Sequence, residues 1–213
     1  MNRWYIGDIH GCLDELVELD AMLPEGDERV FVGDLVDRGP DSLGVLAYMM
    51  QAGYTVVRGN HDDKLMRYLK GNPVQRAEAW WDDAKPYLGY LQGLPLSVQH
   101  EGVTALHGGV LPKHKRRLNK SCMYIRHVTP GGRQVRLGEE GSDTAFWTEQ
   151  YDNDPFLGTV VYGHQPWPEV RITTNTVGVD TGCVFGGHLS AYCPQTGIVI
   201  AVKAKRKYAE PHF

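Results

Sequence analysis

Cysteine is scarce: among 213 residues there are four, Cys12, Cys122, Cys183 and Cys193, and none stands in C-x-x-C spacing. That scarcity excludes a disulfide-framed secreted scaffold and a thiolate-rich structural zinc module, and makes a reducing cytoplasm the expected home. No apolar run approaches the ~18–20 residues that cross a bilayer, so no membrane partner is expected. The first expected strand runs from Arg3 to Ile6, and no signal peptide is expected ahead of it. Charge of one sign is also lacking: 22 Lys and Arg stand against 26 Asp and Glu, net −4. Affinity for nucleic acid or anionic lipid must therefore come from a local patch. There is no G-x-x-x-x-G-K-[ST] loop, which excludes a fused P-loop kinase. Nothing marks an obligate protein partner.

With 42% hydrophobic residues, the chain has the length and apolar content of one domain with a sizeable core, spanning 1–213. Five short runs organise it: Gly7-Asp8-Ile9-His10-Gly11, Gly33 to Gly39 (Gly-Asp-Leu-Val-Asp-Arg-Gly), Gly59-Asn60-His61-Asp62, His107-Gly108-Gly109 and Gly163-His164. Four directly follow an apolar stretch that reads as a buried strand, and the fifth follows Tyr54 to Val57 after one intervening residue, Arg58. Strand ends hold side chains rigidly, and glycine lets the chain turn so that the next residue points into a crevice. A lone Gly-Asp would be an ordinary turn. Five such runs at strand ends, three of them contributing a histidine at a candidate ligand position, point to a metal site.

Asp8, His10, Asp34, Asn60, His107 and His164 offer carboxylate, imidazole and amide donors and no thiolate. That set suits Mn, Fe or Zn in a reactive site better than a structural zinc. Six protein ligands exceed the needs of one open ion. They suit two divalent ions roughly 3.5–4 Å apart that clamp a phosphoryl group. Asp34 is the candidate bridge, because a carboxylate has two oxygens and can reach both ions.

The pattern resembles the phosphoprotein phosphatase branch of the calcineurin-like metallophosphoesterases, whose motifs GDxHG, GDxVDRG, GNH followed by an acid, HGG and GH occur here in that order between residues 7 and 164. The resemblance implies an α/β (α+β) sandwich of two central mixed sheets flanked by helices, with the active site at the carboxyl ends of strands. It implies a two-metal centre, with Mn²⁺ first and Fe, Zn or Ni as alternatives. It also implies roles: His61 as the general acid, Asp37 orienting it, and Arg38 binding the substrate phosphate with its planar fork of donors. Arg126, in Tyr-Ile-Arg-His, resembles a second phosphate-binding arginine of the phage-type enzymes. Asp62 stands where the eukaryotic protein phosphatases have Glu. Asp180 is expected to orient a metal-bound histidine from behind.

Helices are expected over Leu13 to Leu23, from an Asp41 cap through Met50, over 63–72, and over 75–92, where Trp80, Trp81, Leu88 and Leu91 read as core packing, with base stacking the alternative for the two tryptophans. Cys12 reads as a packed small residue. Strands are expected over Pro95 to Gln99, Val103 to Leu106, Thr159 to Tyr162, Leu189 to Cys193 and Ile198 to Val202. A cap or loop insertion is expected over 110–150. Within it the basic run Lys113 to Lys120 is either a solvated loop or a means of steering an anionic substrate.

The expected chemistry is hydrolysis of phosphate esters or anhydrides by a hydroxide that bridges the ions, with no covalent nucleophile. The stretches 64–73 and 180–187 resemble the dinucleoside tetraphosphatase and polynucleotide phosphatase subgroups, so nucleotide-type substrates are favoured. The alternative is a serine/threonine phosphoprotein phosphatase. A non-catalytic scaffold is the remote one, because a scaffold has no physical need for all five motifs.

Overall fold

In the first strands neighbouring residues are buried on opposite faces, which a strand does only when both sides of its sheet are covered. Trp4, Ile6 and Phe31 pack among helices, whereas Tyr5, Val30 and Val32 pack with Ala105, Val161 and Val177 of a second sheet. A computed structural model gives this architecture and describes residues 1–111 and 118–211.

The chain opens with β1 (Arg3–Ile6), α1 (Leu13–Met22), β2 (Glu28–Phe31), α2 (Ser42–Ala52), β3 (Thr55–Val56) and α3 (Asn60–Leu69), and β1, β2 and β3 lie parallel and adjacent. After α4 (Leu88–Gly93), the hairpin β4 (Ser97–His100) and β5 (Val103–Leu106) starts the second sheet, which continues through β8 (Thr159–Tyr162), parallel to β5. Between them lie a small hairpin of β6 (His127–Val128) and β7 (Ala145–Phe146) and the short α5 (Trp147–Tyr151). β9 (Arg171–Ile172) and β10 (Thr176–Gly178) complete the second sheet in the order β4-β5-β8-β10-β9. β11 (Asp180–Thr181), β12 (His188–Cys193) and β13 (Ile198–Lys203) return to the first sheet, where β12 runs antiparallel to β1, β11 and β13.

Both sheets are mixed and they stack face to face. Helices cover the outer face of the first. Phe146, Trp147, Ile125 and Val128 cover the outer face of the second, against Val160 and Tyr162. Cys12 and Cys183 are buried in the helix-side core beside Glu15. Glu15 Oε1 accepts the Lys205 backbone N–H at 2.9 Å and the Tyr208 hydroxyl at 2.7 Å, tying the C-terminal tail to α1.

Most expected elements are present. α2 begins as its sequence indicates, Asp41 Oδ1 accepting the Gly44 N–H at 2.7 Å, and it ends at Gly53 in left-handed backbone. Two expectations are corrected. α3 starts at Asn60 rather than Asp63, because the buried Asp62 carboxylate accepts the Gly59 N–H at 2.9 Å and closes the first turn. Residues 75–92 form no single helix: a 3₁₀ segment, Ala79–Tyr87, contains Pro86 and precedes the short α4. Proline has no N–H to carry an α-helical ladder onward. Most of the basic run, 113–117, lies outside the described residues, and Lys120 pairs with Asp63 at 3.5 Å.

Candidate metal centre

All five motif loops leave the carboxyl ends of β1, β2, β3, β5 and β8, and three of them turn there under strain. Seven non-glycine residues among those described have left-handed backbone, and five belong to these loops: His10, Asp34, Asp37, Arg38 and His164. Each such residue costs on the order of 1 kcal/mol or more and persists only where its surroundings hold it. The His10 N–H donates to Asp34 O at 2.8 Å, the Gly11 N–H to Leu35 O at 2.8 Å and the Asp37 N–H to Ser42 Oγ at 3.0 Å. Two glycines are required by close approach. A Cβ on Gly59 would overlap Asp34 Oδ1, and one on Gly163 would overlap Asp8 Oδ1.

Asp34 lies at the middle of the resulting cluster. Its Oδ2 is 3.5 Å from His10 Nε2 and 3.3 Å from His107 Nε2, and Asp8 Oδ2 is 4.0 Å from His10 Nε2. Asn60 Oδ1 is 3.0 Å from His107 Nε2, and the His107 and His164 rings meet edge to face at 4.9 Å. Two three-atom groups of compact spacing share Asp34: one with His10 and His61, the other with His107 and His164. The outer nitrogens of two imidazoles are already committed, His10 Nδ1 to Val36 O and His107 Nδ1 to Val32 O, each at 2.9 Å. That leaves both Nε2 atoms on the side of the ring that faces Asp34. His164 Nε2 is buried and has no hydrogen-bond partner among the described residues. Oxygen and imidazole lone pairs facing one another, with one orphaned nitrogen, are the donor set that divalent cations satisfy.

The electrostatics agree. Burial, followed by the charges of Asp180 and Asp34, pushes Asp8 well above the usual carboxylate range. Burial and the Asp34 charge push Asp62 up to about 6, and burial with the Asp34 charge also brings Asp180 to about 6. Asp34 resists its own burial, because His107, His61 and His10 surround it, and stays well below the usual range. Burial drives His10 and His164 well below the usual imidazole value, so both are neutral near pH 7. His107 rises against its burial because of Asp34. Carboxylates crowded this way repel one another, and added positive charge relieves the repulsion.

Beside the cluster, His61 Nδ1 is 2.7 Å from Asp37 Oδ2, and its side chain is 15% exposed, so Nε2 remains open to a ligand. Arg38 Nη1 donates to His10 Nε2 at 2.8 Å, and its guanidinium lies over the Phe185 ring. Arg126 joins the cluster from the β6 side, donating to His164 O at 3.3 Å. Asp62 supports Asp34 from below, accepting the N–H groups of Asp34 at 3.0 Å and Leu35 at 2.9 Å. Asp180 contacts differ from the expectation: its Oδ1 accepts the Gly182 N–H at 2.9 Å, and the rear nitrogens of His10 and His107 are held by backbone carbonyls instead. One contact has no signal in the sequence. Buried Trp81 donates its indole N–H to Asp37 Oδ1 at 2.9 Å.

This chain belongs to the calcineurin-like phosphoesterase family, whose model matches residues 1–192. It is therefore a metal-dependent hydrolase of phosphate esters or anhydrides. It is 32% identical to the bis(5'-nucleosyl)-tetraphosphatase PrpE of Bacillus subtilis, over 98% of this chain and 97% of that protein. It is 33% identical to the enzyme of the same name from Anoxybacillus flavithermus, over 98% and 96%. Among solved structures, a protein provisionally assigned as a diadenosine tetraphosphatase superposes with a TM-score of 0.77 at 28% identity, over 95% of this chain and 93% of its own.

Proposed function

We propose that this chain hydrolyses phosphoanhydride or phosphate-ester bonds of nucleotide-type substrates, dinucleoside tetraphosphates foremost, with two divalent ions, Mn²⁺ first, held by Asp8, His10, Asp34, Asn60, His107 and His164. The observation that carries the two-ion reading is the central Asp34, whose Oδ2 faces His10 Nε2 on one side and His107 Nε2 on the other. The substrate class rests on likeness, along almost the whole chain, to proteins named as bis(5'-nucleosyl)-tetraphosphatases. Four free, buried cysteines support action in a reducing cytoplasm. Residues 1–213 act as one domain in this reading, with 110–150 as its cap.

When bound, the ions supply Lewis acidity to phosphoryl oxygens and to the attacking water. The protein does the rest. Arg38 and Arg126 present guanidinium donors to the non-bridging oxygens as negative charge develops on them. His61 gives the proton on Nε2 to the leaving oxygen, while Asp37 Oδ2 holds Nδ1 and so fixes ring and tautomer. Asp62 keeps the Asp34 turn in place through the Asp34 and Leu35 amides. Asp180 adds a negative charge beside Asp8. No side chain serves as a covalent nucleophile.

The test is a parallel assay of Mn²⁺-loaded protein on diadenosine tetraphosphate, a 3'-phosphorylated oligonucleotide, a phosphothreonine peptide and an aryl phosphate. The expected order puts diadenosine tetraphosphate highest in kcat/KM. Turnover confined to the peptide would replace the nucleotide reading with that of a serine/threonine phosphoprotein phosphatase.

A further inference from the structure

We infer that Trp81 is a positioning residue for proton transfer: its indole N–H fixes the Asp37 carboxylate, and Asp37 in turn fixes His61. The inference rests on the reading of His61 as the general acid. Asp37 is almost fully buried, and its two oxygens are divided between two donors, Oδ1 taking Trp81 Nε1 at 2.9 Å and Oδ2 taking His61 Nδ1 at 2.7 Å. With both oxygens occupied, the carboxylate plane cannot rotate without breaking a hydrogen bond, and so the imidazole ring is held at one angle. The backbone gives less help, since Asp37 and Arg38 are both in left-handed conformation. A side-chain anchor from elsewhere in the chain is what such a segment needs.

Trp81 is suited to the task. It is fully buried, and its ring is fixed by an edge-to-face contact with Tyr68 at 5.1 Å. The Lys64 ammonium sits 5.0 Å from its centroid, on the helix that carries His61 at its start. A cation over an indole face draws electron density from the ring and strengthens its N–H as a donor. The 3₁₀ segment Ala79–Tyr87 therefore does more than pack: it delivers a hydrogen-bond donor to the acid–base pair. Without that N–H a buried carboxylate oxygen is unpartnered, and such groups reorient to recover a donor.

The experiment compares Trp81→Phe, His61→Gln and Asp37→Asn, each loaded with Mn²⁺, on aryl phosphates whose leaving groups span several pKa units. A fourth protein carries 3-benzothienylalanine at position 81, which keeps the bicyclic shape and lacks only the N–H. A group that aids protonation matters most for poor leaving groups. The Trp81 variants are expected to lose roughly tenfold in kcat on the poorest leaving group and less than about twofold on the best, following the slope of His61→Gln at smaller amplitude. Binding of Mn²⁺ by equilibrium dialysis is expected to be unchanged. In ¹H–¹⁵N spectra, the indole resonance absent from Trp81→Phe is expected to move upfield in Asp37→Asn. A loss at position 81 that is uniform across leaving groups, with His61→Gln still sloped, overturns the role of Trp81 alone. A flat response in His61→Gln overturns the general-acid reading and the inference together.

Discussion

One carboxylate near the amino ends of the first sheet's parallel strands and a cluster at their carboxyl ends show what closing an ionic network does. Asp20, on α1, is completed by the protein itself: Oδ1 accepts Arg29 Nε at 2.9 Å, and Oδ2 accepts the hydroxyls of Tyr48 at 2.5 Å and Tyr54 at 2.7 Å. Burial alone would raise its pKa, but these donors outweigh burial and lower it. At the strand ends Asp8, Asp34, Asp62 and Asp180 crowd together, three of the four are raised, and His164 Nε2 has no partner among the described residues. The first arrangement is complete within the chain and can only stabilise. The second is complete only with added cations, and so can bind them.

The comparison is broken most severely at Asp34. Asp34→Asn removes the central charge, and the expected result is no turnover above background together with loss of Mn²⁺ in equilibrium dialysis; retained metal with full activity would move the bridge elsewhere. His61→Gln should leave metal content intact and slow turnover by roughly 10²–10⁴-fold, read as kcat on diadenosine tetraphosphate. Gly163→Ala forces a methyl group against Asp8 and shifts the loop bearing His164. A displacement of about 1 Å in such a site costs roughly 10²-fold. The companion measurement is thermal unfolding without metal, where the same overpacking should cost about 1–3 kcal/mol.

The closed network gives the smallest effect on chemistry. Asp20→Asn should leave kcat unchanged and destabilise the fold by about 1–2 kcal/mol in urea unfolding at pH 7. Because Asp20 has a folded-state pKa below its ordinary value of 3.8, its contribution is fully present above that value and is lost as pH falls through the lower folded-state pKa. The stability difference between wild type and variant should therefore shrink on acidification below about pH 4. A constant difference down to pH 2 would show that Asp20 acts by packing rather than by charge.

The contrast also explains which parts of the molecule were legible in the sequence. The motif loops were, because strand, glycine and candidate ligand are adjacent there, and the geometry that unites them is local to each loop. Asp34, His107 and His164 could be named from their own neighbours, and the structure brings them together. The sandwich of two mixed sheets followed from the family resemblance that those loops carry, while the apolar stretches before them pointed only to strands. Trp81 could not be read in the same way. Its partner is 44 residues away, and the segment that carries it is a 3₁₀ turn interrupted by Pro86, which has no periodicity to betray which side chain faces the site. Asp62 was visible as an acid but not as a clamp, because its partners are the backbone amides of Asp34 and Leu35 on another strand-end loop. Asp180 was placed in the right neighbourhood with the wrong contact, since backbone carbonyls are invisible as choices in a sequence. The Asp20 network likewise had no signature, its members coming from α1, β2, α2 and the turn before β3.

The order of the strands has a consequence for biosynthesis. β1 precedes every other strand of its sheet along the chain, yet one of its two neighbours is β12, residues 188–193. His164 likewise arrives long after Asp8 and His10. During synthesis the β1 edge that β12 covers in the finished fold has no partner on that side until residues 188–193 have been added. The candidate ligand set is therefore complete only once His164 has been made, and the first sheet only once β12 has been added beside β1.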